Sequence, residues 1–251
     1  MKILVTGATG FIGTNLVNYL KTKYSNCEFL LTNSKTSETQ LRNYAKVCNE
    51  VYYFAAVHRS NDNEDFRRYN TELLRTFLKF LEDANNRSPI LFTSSRQANE
   101  NSPYGISKIE SEQLVWNHAC KCDTASIVYR LTNTFGRFAR PNGHSVVATF
   151  CYNIQHGLPI VINNPHTLMR FYYIDDVVLE FEHAMNDCIE FGKHIKDRNI
   201  YRLPDEKVYS ISVGELAEKI QMFKQSRDNH IIPVTNNIFE SRLLYTFDSY
   251  I

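Results

Sequence analysis

The chain has 251 residues, 43% of them hydrophobic, with 28 Lys+Arg against 27 Asp+Glu. It is long enough to bury a sizeable core. Its near-neutral balance excludes a global field that would favour nucleic acid or an acidic membrane surface, so neither is expected as a partner.

In chain order, apolar runs at 2–6, 27–32, 50–54, 89–93 and 124–130 predict strands, with helices near 11–22, 65–83 and 103–119. Strand and helix alternating in this way imply an α/β chain whose parallel sheet is covered by helices on both faces. Leu73, Leu74, Phe77, Leu78 and Leu81 recur at helical intervals and support the helix near 65–83. After about residue 140 the rhythm changes. Pro141-Asn142-Gly143 reads as a loop, and Ser145 opens an apolar helix through Ile154. Short strands are expected at 161–162 and 169–174, and helices near 175–188 and 212–224. No segment reaches the ~18 apolar residues of a membrane helix. The N-terminus runs directly into strand and turn rather than into a secretory signal. Six scattered cysteines read as reduced thiols, so the expected location is cytoplasmic.

Gly7, Gly10 and Gly13 follow the first strand and open the first helix. This spacing suits a tight turn, close approach of backbone to a pyrophosphate, and phosphates seated on a helix N-terminus. Thr9, Phe11 and Ile12 fall in the same turn and are candidate cofactor contacts. The second strand ends in Asn33, Ser34 and Lys35, with no acid to accept from a ribose 2′-hydroxyl. These donors favour a 2′-phosphate, hence NADPH (NADP) over NAD. Ala55, Ala56 and Val57 end the third strand and leave room beside the dinucleotide. The expectation is a Rossmann-type, doubly wound NADP-binding domain over 1–160. A smaller substrate-binding lobe over 161–251 returns elements to the main sheet.

Tyr104 and Lys108 are four residues apart, on one face of a helix that Pro103 suits at its first turn. A phenol near pKa ~10 is a poor acid–base catalyst at neutral pH, and a neighbouring ammonium is expected to lower it. Ser95 follows the strand at 89–93, at the sheet edge where ligands bind. Its hydroxyl can hold a substrate oxygen while Tyr104 moves a proton. A Tyr-x-x-x-Lys pair alone marks an ordinary solvated helix face; with Ser95 and the glycine turn it points to catalysis. His118, Cys120 and Cys122 do not follow a zinc spacing, and no metal is expected.

Together these motifs resemble the extended short-chain dehydrogenase/reductases, the family of nucleotide-sugar epimerases, dehydratases and reductases. Asn133, within Arg130–Arg137, falls where such enzymes carry an Asn near the sugar nucleotide, and Tyr173-Ile174-Asp175-Asp176 resembles the stretch entering their late helix. Ser94–Ala98, Asn101–Gly105, Ser145–Tyr152 and Phe223–Arg227 are similar to the reductase domain of CapF-type capsular-polysaccharide enzymes. That resemblance implies NADPH-dependent reduction of the 4-keto group of a UDP-2-acetamido-2,6-dideoxy-hexos-4-ulose. The product would be a UDP-N-acetyl-6-deoxy-hexosamine of the talosamine type.

The resemblance further implies Arg130 among the cofactor contacts, and Arg96, Gln97, Asn133, Arg137, Asn142, His144, Ser145 and Arg227 as substrate-binding candidates. A homodimer acting on a UDP-sugar is expected. Three departures qualify the likeness. Such enzymes usually continue into a metal-binding cupin that epimerises C3, so that step is assigned to a separate cupin-type epimerase. Arg170 stands one place from the usual phosphate-binding arginine. Ser94-Ser95 replace the acidic pair of 4,6-dehydratases, which argues against dehydration. Two further readings stay open: a 4-epimerase with tightly held NAD(P), and a non-catalytic NADP-sensing protein.

Overall fold

The segment Lys2–Thr6 is buried at every position after the first, the mark of a strand covered on both faces in a parallel sheet. The computed structural model describes residues 1–192 and 198–251. In chain order its elements are β1 (Lys2–Thr6), α1 (Phe11–Lys23), β2 (Glu28–Leu31), α2 (Glu38–Val47), β3 (Glu50–Tyr53) and α3 (Asn63–Phe66). A π-helical turn (Arg67–Glu72) leads into α4 (Leu73–Asp83), followed by β4 (Ile90–Ser95), a 3-10 turn (Arg96–Asn99), α5 (Pro103–Cys122) and β5 (Ser126–Leu131). Then come β6 (Asn133–Phe135), α6 (Val146–Gln155), β7 (Leu168–Tyr173), α7 (Ile174–Phe191) and β8 (Ile200–Tyr201). A 3-10 turn (Asp205–Lys207), β9 (Tyr209–Ser212), α8 (Val213–Asp228) and α9 (Ile238–Asp248) complete the order. None of the described helices is long and apolar enough to cross a membrane.

The chain groups into two units, Met1–Leu131 with Val178–Arg202, and Thr132–Val177 with Leu203–Ile251. The expected boundary at 160/161 lies inside the second unit. The second unit starts earlier because β6 leaves the main sheet at once and pairs with β7.

In the first unit a six-stranded sheet runs β2-β1-β3-β4-β5-β8, with parallel pairing throughout. The order reverses between β1 and β3, and ligands bind outside the carboxyl ends of strands at such a point. Those two ends are joined by a side chain: Thr6 Oγ1 accepts from the amides of Phe54 at 3.0 Å and Ala55 at 3.2 Å. Behind the turn, a Cβ on Gly13 would lie 2.3 Å from the Gly7 carbonyl oxygen. Only glycine lets α1 approach β1 so closely. On one face, Leu4, Leu30, Val51, Phe77, Leu81, Phe92, Val115 and Val128 form a continuous buried cluster. Fully burying each such side chain stabilises the fold by roughly 1.5–3 kcal/mol. Elsewhere in this unit, the buried carboxylate of Glu182 receives Lys23 Nζ at 2.9 Å and the Tyr24 hydroxyl, tying α1 to the later half of α7.

The second unit carries β6-β7-β9, with β7 antiparallel to β9. Phe135, fully buried, meets the rings of Phe171, Tyr173, Tyr209 and Phe239. The strand expected at 161–162 is absent: Val161 is 79% exposed and no ladder partner reaches it. Helices α2 and α9 and strands β6, β8 and β9 were not expected from the pattern. The two helices start at side-chain caps, Ser37 and Asn237, while β8 and β9 are short strands set by tertiary pairing.

Glu50 opens β3 at 3% exposure. Burial, helped by the charge of Glu182, pushes its carboxyl from 4.5 up to about 7. A folded-state pKa above the unfolded one favours folding below pH ~4.5, and that contribution is lost as pH rises towards 7. Glu50→Gln should therefore stabilise the protein at pH 8 by roughly 3 kcal/mol, read by calorimetry as a melting temperature several degrees higher. The gain should vanish by pH 4; an equal gain at both pH values would contradict this account.

Candidate active site

Helix α5 begins under strong local instruction. Ser102 caps it, accepting from the Gly105 amide at 3.0 Å, and Pro103 occupies the first turn. A Cβ on Gly105 would lie 2.4 Å from the Glu100 carbonyl oxygen and 2.5 Å from that of Gln97. Glycine there lets α5 close against the 3-10 turn that follows Ser95. Tyr104, Lys108 and Glu112 then line one helix face towards the carboxyl ends of β4 and β5.

The structure brings Ser95, Tyr104 and Lys108 together. Ser95 ends β4, partly exposed; its Oγ accepts from the Gln97 amide at 3.1 Å and lies near enough to the Tyr104 phenol to lower its pKa. Tyr104 is 9% exposed. Burial pushes its phenol up to about 12, against a smaller lowering by Ser95. The Lys108 ammonium donates to the Thr93 carbonyl at 3.1 Å and lies 5.8 Å from the centroid of the Tyr104 ring. Burial lowers its pKa to about 8, against the raising charge of Glu112. The expected depression of the phenol by the ammonium is thus not what the structure shows. Burial of Tyr104 sets the direction, and the Lys108 ammonium is anchored on the Thr93 carbonyl.

Three residues at this site went unread in the sequence. His58 Nδ1 lies 3.0 Å from the Tyr104 hydroxyl. Asn70, in the π-helical turn, is 2% exposed; it accepts from the Val57 amide at 2.8 Å and donates to Ser107 Oγ at 3.0 Å. It fixes the loop after β3 against α5, and such turns recur at functional sites. Glu112, fully buried, receives Ser94 Oγ at 2.5 Å and Arg130 Nε and Nη2 at 2.8 and 2.7 Å. Asn70 was legible as a polar residue inside the apolar stripe from Phe66 to Leu81. Glu112 was legible as the next step on the face of Tyr104 and Lys108. Nothing in the pattern marked His58.

The residues around β1 fit a dinucleotide. Gly7 takes a left-handed turn, and α1 starts at Gly10 with no side-chain cap and no acid in its first turn. Its N-terminal amides and dipole suit phosphate. Thr9 and Gly10 are exposed, Phe11 and Ile12 partly so, and Ala55, Ala56 and Val57 are half-buried at the neighbouring strand end. Asn33, Ser34 and Lys35 form an exposed turn. Asn33 Oδ1 accepts from the Lys35 amide at 2.8 Å, and the Asn33 amide nitrogen, the Ser34 hydroxyl and the Lys35 ammonium remain as donors of this turn. The Arg130 guanidinium is committed to Glu112 and, at 2.6 Å, to Asn99.

Arg96 and Gln97 are exposed just after Ser95. The remaining substrate candidates lie in the second unit. Asn133 donates to the Arg170 carbonyl at 3.2 Å. Arg137 donates to the Tyr245 hydroxyl at 2.9 Å. Asn142, at positive φ, bonds Asn153 at 3.1 Å. His144 is exposed, and Ser145 caps α6. Arg227 is paired with Asp248 at 2.5 Å. In the first unit, His118 and Cys122 meet Glu82, their ligand atoms within 4.8 Å of one another, while Lys121 pairs with the same Glu82 at 2.6 Å. Cys120 lies outside this group.

Residues 3–196 match the model of the NAD dependent epimerase/dehydratase family. The chain is 36% identical over 227 residues to the UDP-2-acetamido-2,6-beta-L-arabino-hexul-4-ose reductase of Pseudomonas aeruginosa, an alignment covering 90% of this chain and 59% of that protein. Its structure is similar to that of the capsular polysaccharide assembling protein CapF from Staphylococcus aureus. The TM-score is 0.85 at 32% identity, over all of this chain and 66% of that one. The chain therefore spans about two thirds or less of the length of these two relatives. WbmF of Bordetella bronchiseptica, solved in complex with NAD+, shares the fold alone, with a TM-score of 0.76 at 16% identity over 99% of this chain and 92% of that one. With a glycine turn between β1 and α1, a serine at the end of β4, a Tyr–Lys pair on α5 and a family match across most of its length, the chain belongs to the NAD dependent epimerase/dehydratase family, the extended short-chain dehydrogenase/reductases.

Proposed function

We propose that the chain is an NADPH-dependent reductase of the 4-keto group of a UDP-2-acetamido-2,6-dideoxy-hexos-4-ulose, acting in surface-polysaccharide synthesis. The observation that carries this reading is a Tyr104 phenol kept neutral by burial, near Ser95 at the carboxyl end of β4 and one helical turn before the buried Lys108. A group that must deliver a proton to a carbonyl oxygen has to begin protonated. The 36% identity to a protein named as a UDP-hexulose reductase supports the substrate class.

The cofactor, when bound, supplies hydride to the carbonyl carbon. Ser95 donates to the carbonyl oxygen and fixes its place. Tyr104 gives its proton to that oxygen as negative charge develops there. Lys108, protonated below about pH 8, faces the phenolate left behind and stabilises it in a site of low dielectric. The first-turn amides of α1 would hold the pyrophosphate, and Asn33, Ser34 and Lys35 the 2′-phosphate.

Titration should show NADPH binding more tightly than NADH, because the tip of β2 offers donors and no acid. Tighter binding of NADH would reverse the cofactor assignment.

Tyr104→Phe removes the proton and little else. Turnover should fall by ~10²–10⁴-fold while the Kd for NADPH stays within about twofold. A variant that keeps more than about a tenth of wild-type activity would remove Tyr104 as the acid.

A further inference from the structure

We propose that His58 is the group that returns a proton to Tyr104 after each turnover, linking a buried acid to solvent. This rests on the reductase reading. Every reduction consumes one proton, and Tyr104, at 9% exposure, has little direct access to water. His58 is exposed and sits with its Nδ1 3.0 Å from the phenol oxygen. The two rings are 5.7 Å apart and tilted by 57°, with Phe66 edge-on to Tyr104 from another side. His58 also lines an open cavity of about 440 Å³ with Arg59, Ser60, Asn61 and Phe66.

The other groups at the phenol are worse placed for this task. Lys108 is 3% exposed and donates to the Thr93 carbonyl. A serine hydroxyl such as Ser95 does not ionise near neutral pH. Imidazole is the side chain whose ordinary pKa lets it both give and take a proton there. Once Tyr104 has given its proton to the substrate oxygen, its O–H bond is broken and a phenolate remains. The protonated imidazole passes its Nδ1 proton to that oxygen, the phenol O–H re-forms, and the neutral ring takes a proton from water. Nothing is oxidised or reduced in this step.

The test is His58→Ala, with NADPH oxidation followed at saturating 4-keto sugar. The kcat should fall at least about tenfold, towards the ~10²–10⁴-fold that acid–base groups supply, and the KM should change far less. Imidazole added to the buffer should restore much of the loss, whereas His58→Phe, which fills the space, should be slow and unresponsive. A kcat within twofold of wild type, or a loss that imidazole does not relieve, would overturn the relay. The contact is read independently, without substrate, by nitrogen NMR of the His58 ring: Tyr104→Phe should shift the Nδ1 resonance, and an unmoved resonance would overturn the pairing. Wild-type protein that fails to oxidise NADPH with this sugar sinks the reductase reading and the relay together. Active wild type with an indifferent His58→Ala sinks the relay alone.

Discussion

The arrangement of this site depends on one buried carboxylate. Glu112 projects from α5 into the sheet, receives Ser94 from β4 and is gripped at two points by Arg130 from β5. Removing one partner from such a pair leaves an uncompensated buried charge, at a cost of roughly 3–5 kcal/mol. The bidentate geometry also fixes rotation and register, since only one setting of α5 satisfies both strands. With Glu112 fixed, Lys108 one turn earlier meets the Thr93 carbonyl, and Tyr104 stands one turn before that, its phenol beside His58 Nδ1. That face of α5 is thus held by the contacts of Glu112 and Lys108 with the ends of two adjacent strands.

Burial then sets the chemistry. It acts on Tyr104 and Lys108 in opposite senses, raising the phenol and lowering the ammonium, each towards its neutral form. At neutral pH this leaves a protonated acid beside a lysine that still carries its charge. Thr6, bonded to the amides of Phe54 and Ala55, holds the ends of β1 and β3 together where the sheet order reverses. Asn70 does the same for the loop after β3 and helix α5. The ends of β1 and β3, the loop after β3 and helix α5 therefore belong to one hydrogen-bonded frame in the first unit.

Much of that frame was legible in the sequence because it rests on local rules. The strand Lys2–Thr6 is buried from Ile3 onward, the glycine spacing gives the turn, and Pro103 starts α5. The parts that were missed depend on partners distant in sequence. Strands β8 and β9 exist through pairing with β5 and β7. The apolar pair at 161–162 lacks such a partner and forms no strand. The pairing of Arg130 with Glu112 and Asn99 likewise joins residues 18 and 31 positions apart. Tyr104 was expected to be acidified by Lys108, since spacing places two groups on one face but says nothing of how deeply each is buried. His58 follows an irregular loop with no periodicity to read.

The most direct test of the account supplies the UDP-4-keto-sugar together with NADPH deuterated at the transferable position of its nicotinamide, and follows both the cofactor and the sugar. The account predicts one NADPH oxidised for each sugar reduced, with mass spectrometry and NMR placing a single deuterium on carbon 4. A converted sugar with no net loss of NADPH, or NADPH left unoxidised in the presence of the 4-keto sugar, would contradict it.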